Sequence, residues 1–207
     1  MGIAERKERE KQEMRERIVE AATDVFAGEG YEKTSIRNIA ERIEYSPGTI
    51  YLYFKDKNEL LFAVQKVGFD MMREEMAPLS KIKNPLKRLK AIGEMYFRFS
   101  MEHPQHYNLM FVLMAPMEVL EEHKPWHKGQ EAFGFLENTV QQCIDKGLIH
   151  ATSAKDYAFY SWAFLHGLVM LNNSCRVRVM EQTDAENQDM MQRALNEWIK
   201  MIKNHVK

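Results

Sequence analysis

The sequence has few of the residues that stabilise secreted or metal-dependent domains. Its 207 residues include only two cysteines, Cys143 and Cys175, which form no Cys-x-x-Cys pair. Two cysteines cannot supply a disulfide framework, so we expect a cytoplasmic protein. Ten glycines and six prolines are too few for a collagen-like or low-complexity chain. With 45% hydrophobic and 29% charged residues, the composition is that of an ordinary globular protein.

Long apolar runs and a net charge of one sign are also lacking. The longest apolar run, residues 157–171, is interrupted by Ser161 and His166 and is shorter than the roughly 20 residues that cross a bilayer. We therefore expect no membrane partner. The formal net charge is −1, and residues 1–60 contain eleven Lys and Arg against thirteen Asp and Glu. Any contact with nucleic acid must therefore depend on where individual cations lie.

Apolar residues recur with a helical period almost throughout the chain. Ile18, Ala22 and Val25 lie on one stripe, and the glycines at 28 and 30 that follow predict a first helix over about residues 10–28. Later helices are predicted over about residues 85–102, 104–115, 127–147, 153–174 and 185–204. No segment shows the two-residue alternation of a strand. The predicted fold class is all-α.

Between the first and fourth helices the sequence predicts a helix-turn-helix over about residues 35–54. Thr34 or Ser35 can cap a short second helix, and Ser46 before Pro47 predicts that a third helix begins soon after it. Two short helices joined by so tight a turn form this motif. Asp56 and Glu59 then resemble a capping box that opens the fourth helix.

The third helix has the properties of a DNA-reading element. At seven residues it would be about 10 Å long and would fit the major groove of B-DNA. Small residues at its start allow close approach, Thr49 can reach base edges, and Tyr and Lys side chains at its end can bind phosphates. The predicted DNA-binding residues are Thr34, Ser35, Arg37, Ser46, Pro47, Gly48, Thr49, Tyr51, Tyr53, Lys55 and Lys57.

This stretch resembles the DNA-binding domain of the TetR family of bacterial transcriptional regulators. The matching residues are Phe26, Gly30, Tyr31, Thr34, Ile39, Ala40, Ser46, Gly48, Ile50, Tyr51, Tyr53, Phe54, Lys57 and Leu60. The sequence departs from the family at the turn, where Ile43, Glu44 and Tyr45 replace the usual Ala, Gly and Val. Glu44 lacks the freedom of glycine at positive φ, so we expect some strain in this turn.

The resemblance implies a division of labour along the chain. Residues 14–74 would form the DNA-binding domain, and residues 75–207 a larger helical domain for effector binding and dimerisation. The implied protein is a homodimer that binds a palindromic double-stranded operator as a repressor and is released by a small apolar effector. The alternative is a helical small-molecule carrier or scaffold without DNA binding, which the negative charge balance of residues 1–60 favours.

Aromatic and Met side chains are dense in the second half of the chain. They suit an apolar ligand cavity and an ordinary core equally well, and the family resemblance favours a cavity. The predicted effector-binding residues are Tyr96, Phe99, Tyr107, Met110, Phe111, Met114, Phe133, Trp162 and His166. For His166, a hydrogen-bonded core position is the leading alternative.

The last two predicted helices have broad apolar stripes. Such a pair can pack against its two-fold copy as a four-helix bundle, or can be buried within one chain. The predicted dimerisation residues are Trp162, Leu165, Val169, Leu195, Trp198 and Ile202.

Motifs for catalysis and metal binding are missing. The sequence has no Gly-rich phosphate loop, no Gly-x-Ser-x-Gly elbow and no His-Glu-x-x-His motif. The pairs His103/His106 and His123/His127 have helical spacing, but a proline lies inside each pair. We therefore predict no enzyme activity, no metal site and no cofactor.

Overall fold

A computed structural model describes residues 2–113, 127–179 and 183–204, and the described residues contain helices and no strand. The α-helices are α1 (Ile3–Glu29), α2 (Ile36–Arg42), α3 (Pro47–Tyr51), α4 (Lys57–Met76), α5 (Pro85–Glu102), α6 (Pro104–Phe111), α7 (His127–Asp145), α8 (Ala154–Asn173) and α9 (Asp184–Asn204). Short 3-10 helices cover Ala77–Lys81 and Val177–Val179. The all-α prediction is confirmed. Among the described helices, none has the length and apolar character needed to cross a membrane.

Capping side chains set several of the helix starts. The hydroxyl of Ser35 accepts from the backbone N–H of Asn38, and that of Ser46 accepts from Thr49. The Asn84 side chain accepts from the N–H of Lys87 just before α5. Each bond satisfies an N–H that has no partner inside its own helix. These starts are the ones that the sequence predicts, and α5 matches its predicted range at both ends.

Two compact units divide the chain. The first comprises Met1–Met71 and His103–Lys128. Its core is formed by the apolar faces of α1, α2, α3 and the start of α4, with Ile18, Ile39 and Ile50 fully buried. Helix α6 belongs to this unit, because Leu109 lies in the same core and its carbonyl accepts a hydrogen bond from the buried amide of Gln65 at 2.9 Å.

The second unit comprises Met72–Glu102 and Gly129–Lys207. Helix α5 packs against α8 and α9, and a Cβ added at Gly93 would lie 3.3 Å from both Leu165 and Trp198. The buried Arg88 guanidinium joins α5 to the Ile82 carbonyl and to the Gln142 side chain on α7. The predicted functional division into residues 14–74 and 75–207 stays a prediction.

Candidate nucleic-acid interface

The turn of the helix-turn-helix has the geometry of a Schellman motif. At the end of α2, the N–H of Tyr45 donates to the Ala40 carbonyl at 3.0 Å and the N–H of Glu44 to the Glu41 carbonyl at 3.2 Å. Glu44 occupies the position where glycine is usual and has φ of 61°. The strain expected from the sequence is therefore present in the backbone.

Two arginine side chains of α1 contact this turn and the segment that follows α3. Arg17 donates to the carbonyl of Ile43 at 3.3 Å, and its guanidinium lies 5.4 Å from the Tyr45 ring centroid. The Arg15 guanidinium lies 4.7 Å from the Phe54 ring. Sequence reasoning missed these contacts because Arg17 lies 26 residues before Ile43, and Arg15 is likewise far from Phe54 in the chain. Arg17 therefore contributes to the shape of the candidate interface.

Helix α3 is shorter than the sequence predicts. It spans five residues, Pro47–Tyr51, which corresponds to about 7.5 Å of helix rather than 10 Å. After it, the N–H groups of Tyr53 and Phe54 both donate to the Ile50 carbonyl, so the chain leaves the helix in a turn. Ser46 caps the helix, and its hydroxyl lies 3.2 Å from that of Thr49.

One side of this segment is exposed. Gly48, Tyr51 and Lys55 lie on the surface, as predicted, with Tyr51 55% exposed, whereas Pro47, Thr49 and Tyr53 are half-buried. Leu52 is 79% exposed, yet the sequence analysis omitted it. The sequence pattern could have predicted this exposure, because Leu52 lies outside the apolar stripe formed by Ile50 and Phe54, both of which are buried. The exposed segment therefore presents an apolar side chain beside its polar groups.

The start of α2 adds a second exposed group. Ser35 is exposed but its hydroxyl caps the helix, and the Arg37 side chain is exposed. The Arg37 guanidinium pairs with Glu41 at 2.8 Å, and this hydrogen bond and charge raise the pKa of Arg37 above its ordinary value. A phosphate would have to compete with Glu41 for this cation.

Two predicted DNA-binding residues are engaged inside the chain. Thr34 is only 3% exposed, and its hydroxyl donates to the Gly30 carbonyl at 2.8 Å. Lys57 is half-buried, and its ammonium donates to the carbonyls of Tyr31 and Thr34. Both side chains therefore donate hydrogen bonds to backbone carbonyls in the loop between α1 and α2. Thr34 has no surface on which a direct contact with DNA can form.

The predicted effector residues separate between the two units. Tyr107, Met110 and Phe111 belong to the first unit, where Phe111 lies edge-on to Phe69 with ring centroids 5.6 Å apart. Tyr107 and Met110 are buried. Their burial fits the core reading of these side chains. Met114 lies outside the described residues.

In the second unit, three predicted residues form a hydrogen-bonded cluster. The Trp162 indole N–H donates to the Tyr96 hydroxyl oxygen at 3.1 Å, and that hydroxyl lies 3.2 Å from Nδ1 of His166. The Tyr96 oxygen has two lone pairs, so the tautomer of the neutral His166 ring sets which of the two groups donates in this second contact. Burial lowers the pKa of His166, which favours that neutral form. Phe133 packs edge-on to Trp162, and Phe99 is fully buried in the same unit.

Four of the predicted dimerisation residues are buried within one chain. Leu165, Val169, Leu195 and Trp198 are each at most 3% exposed, and α5, α8 and α9 pack against one another, with Gly93 of α5 lying against three of these four side chains. They fill the core of the second unit, so they are not available to a partner. Trp162 is half-buried in the hydrogen-bonded cluster, and the side chain of Ile202 lies outside the described residues.

A different face of α8 is exposed and apolar. Phe159, Ala163, Gly167 and Leu171 follow one another at four-residue spacing, and all four are exposed. A Cβ added at Gly167 would meet no atom within 4 Å. We call these four residues the α8 face.

Family models match two segments of the sequence. Residues 18–64 match the model described as bacterial regulatory proteins of the tetR family. Residues 89–195 match the model described as a tetracyclin repressor-like C-terminal domain. The second match alone spans more than half of the chain.

Curated relatives are transcriptional regulators. The chain is 37% identical over 79 residues to the HTH-type transcriptional regulator HbdR of Aromatoleum sp. (strain CIB), covering 38% of this chain and 34% of that protein. It is 35% identical over 75 residues to the fatty acid metabolism regulator protein of Bacillus subtilis (strain 168), covering 36% and 39%. The chain thus matches little more than a third of the length of either relative. The match to AcrR of Shigella flexneri is longer, with 25% identity over 72% of this chain and 73% of that protein.

Solved structures share the whole fold. AibR in complex with isovaleryl coenzyme A and operator DNA has a TM-score of 0.66 and 20% identity, covering 91% of this chain and 97% of that one. The fatty acid degradation regulator FadR from Bacillus halodurans has a TM-score of 0.70 and 17% identity, covering 89% and 94%. Identity this low shows a common fold and no more.

Proposed function

Because this chain belongs to the TetR family of bacterial regulatory proteins, we propose that it is a ligand-responsive transcriptional regulator acting in the cytoplasm. It binds a palindromic double-stranded operator as a homodimer, represses transcription, and releases the DNA when a small effector binds. The main support is the helix-turn-helix with its exposed segment Gly48, Tyr51, Leu52 and Lys55. The activity is binding without catalysis.

The DNA-binding part of the proposal assigns separate roles to these side chains. Thr49 and Leu52 face base edges and thymine methyl groups in the major groove, which can distinguish sequences. Tyr51, Lys55 and Arg37 bind phosphates, which fix the register of the protein without reading bases. The short α3 limits base reading to a few positions, so two half-sites from a dimer are needed for a specific operator.

The proposed effector class is an acyl-coenzyme A thioester or the corresponding fatty acid. The support is that one relative regulates fatty acid metabolism, and that the proteins of similar fold include a fatty acid degradation regulator and AibR in complex with isovaleryl coenzyme A. Aromatic side chains suit an acyl chain, and we propose that an effector carbonyl replaces one of the hydrogen bonds within the Tyr96, Trp162 and His166 cluster. Release follows only if the effector binds more tightly to the state that does not bind DNA.

For the homodimer we propose the α8 face as the contact. An exposed apolar stripe with small residues at its centre lets two helices approach closely around a two-fold axis. This surface replaces the buried side chains that the sequence analysis favoured.

Selection of random-sequence duplex DNA on the purified protein tests the proposal. We expect an enriched inverted repeat, and we expect it to be lost in the double variant Tyr51→Ala, Lys55→Ala. The control variant Lys155→Ala removes an exposed cation from α8 and leaves the selection unchanged. Acyl-coenzyme A thioesters of increasing chain length, added to the bound operator, then report effector class by release of the DNA.

The carrier without DNA binding is the second candidate, and the negative charge of Glu44 at the turn favours it. A duplex titration in low salt, on the order of 50 mM, separates the two because non-specific binding is strong there. Absence of any association, together with binding of a fatty acid, would favour the carrier and contradict the regulator.

A further inference from the structure

The loop between α1 and α2 is held by the start of α4. Residues 30–34 form this loop, in which the N–H of Thr34 donates to the Tyr31 carbonyl and the Thr34 hydroxyl to Gly30. Tyr31 is buried, and its hydroxyl bonds to the side chain of Asn58 on α4. The loop ends at Ser35, which caps α2. The position of α2 therefore depends on contacts made by the first residues of α4.

Lys57 makes the central one of these contacts. Its Nζ donates to the Tyr31 carbonyl at 2.9 Å and to the Thr34 carbonyl at 3.0 Å. It also lies 4.1 Å from the centroid of the Tyr31 ring, within the range of a cation–π interaction. An ammonium has three N–H donors, so two of the three are committed to the loop. Among the described residues, Lys57 forms no ion pair.

We propose that Lys57 is a positioning residue for DNA binding, which holds the loop and so fixes the start of α2, rather than a ligand of a DNA phosphate. Both bonded carbonyls lie in the loop that leads into the Ser35 cap, and Arg37 stands in the first turn after it. Loss of the ammonium frees the loop, so α2 occupies its DNA-binding position less often, and the same phosphate contacts form once DNA is bound. This inference rests on the proposed function, since its consequence is measured on DNA.

Lys55 supplies a matched control. It lies two residues earlier, its side chain is exposed, and its backbone N–H donates to the Glu59 carboxylate. Each side chain that binds one phosphate adds about 0.9 to the steepness of log affinity against log salt, so its loss from both subunits of a dimer makes the slope shallower by about 1.8. A positioning residue lowers affinity and leaves that slope unchanged. The salt dependence of affinity therefore distinguishes a phosphate ligand from a positioning residue.

The experiment compares Lys57→Met with Lys55→Met in the full-length protein. Hydrogen exchange measures the amides of residues 31–35, and fluorescence anisotropy measures binding to the selected operator duplex at several salt concentrations. We expect roughly tenfold faster exchange and several-fold weaker binding for Lys57→Met at an unchanged slope. Lys55→Met should leave the exchange unchanged and flatten the slope.

Lys57→Gln keeps a donor without the charge and tests the same role if Lys57→Met fails to fold. It should restore part of the loop protection and part of the affinity. Unchanged exchange in either variant, or a slope that falls as it does for Lys55→Met, would overturn the proposal. If the unsubstituted protein binds no DNA, the proposed function fails, and the exchange data then show by themselves whether Lys57 holds the loop.

Discussion

Glu44 adopts the backbone conformation that the turn of the helix-turn-helix requires, but this conformation is strained for a residue other than glycine. The Schellman hydrogen bonds of Tyr45 and Glu44 close the end of α2, but they require a left-handed conformation that costs a side chain with a Cβ about 1 kcal/mol. At the end of α7 the same pair of bonds forms around Gly147, with φ of 64°. The turn of the helix-turn-helix therefore retains a strain that glycine would relieve.

Replacement of Glu44 by glycine separates backbone strain from charge. We expect Glu44→Gly to raise the free energy of unfolding by about 1 kcal/mol, as measured by urea denaturation. Glu44→Gln keeps the strain and removes the charge, so it should leave stability nearly unchanged. Both variants should bind duplex DNA more tightly, because a carboxylate near the phosphates is lost. Equal free energies of unfolding for Glu44→Gly and Glu44→Gln would show that the backbone at position 44 is not strained.

His166 makes the stability of the second unit depend on pH. Burial lowers its pKa, so the folded protein binds its proton less readily than the unfolded chain does. The stability that this group contributes is complete above the unfolded pKa of about 6.5 and declines as the pH falls through the lowered folded value. We expect stability to decline below pH 6.5 more steeply in the natural protein than in His166→Gln.

Thermal unfolding at pH 7.5 and pH 5.5 measures this difference. His106 is half-buried and its pKa is also lowered, but this residue is present in both proteins, so its contribution cancels in the comparison. Nearby Trp162, whose ring lies 6.2 Å from that of His166, provides a fluorescence signal for the same protonation. Identical pH profiles would show that His166 retains an ordinary pKa.

At the scale of helices, the crossing of α4 and α6 depends on one glycine. A Cβ at Gly68 would overlap the Sδ of buried Met110 and would lie 3.4 Å from the Cβ of His106. The absence of this Cβ lets α6 approach α4, and the bond from Gln65 to the Leu109 carbonyl holds it there. Helical propensity alone would favour alanine at this position.

Gly68→Ala should therefore destabilise the protein although it adds a helix-forming residue. Overpacking costs about 1–3 kcal/mol, against up to about 1 kcal/mol gained from propensity, so we expect a net loss of about 1 kcal/mol. Gly134→Ala on α7 is the control, because its Cβ meets no atom within 4 Å and it should gain up to about 1 kcal/mol. Chemical denaturation measures the free energy of unfolding of both variants. A higher value for Gly68→Ala than for the natural protein would show that α6 does not require glycine at this position.

For the whole molecule, the exposed α8 face makes dimer formation testable. Gly167→Arg places a long cation at its centre, and we expect the mass in solution to fall from about twice 24.4 kDa to that of one chain. Operator affinity should fall by at least tenfold, because one subunit reads only a half-site. Light scattering coupled to gel filtration measures the mass.

Gly134→Arg serves as the matched control, since it makes the same change at another helical glycine with open space around it. It should remain a dimer. A substitution at Trp198 cannot serve this purpose, because that side chain is in the core and a charge there would unfold the second unit. A dimeric Gly167→Arg variant would place the interface elsewhere.

Local sequence patterns are enough to predict the helical class, most helix starts and the helix-turn-helix. These features depend on local physics, namely the 3.6-residue apolar period, the caps at Ser35, Ser46 and Asn84, and the residue demanded by a left-handed turn. Even the strain at Glu44 could be predicted, since it follows from one missing glycine.

The contacts of each apolar or charged side chain, in contrast, depend on how the helices pack together. An apolar stripe shows that a helix face is buried, but not whether α5 or a second chain buries it, and α5 covers Leu195 and Trp198. A lysine beside a predicted reading helix shows charge, but the Tyr31 carbonyl that engages Lys57 lies 26 residues earlier. Contacts between distant residues depend on how the helices pack, and no local pattern encodes that packing.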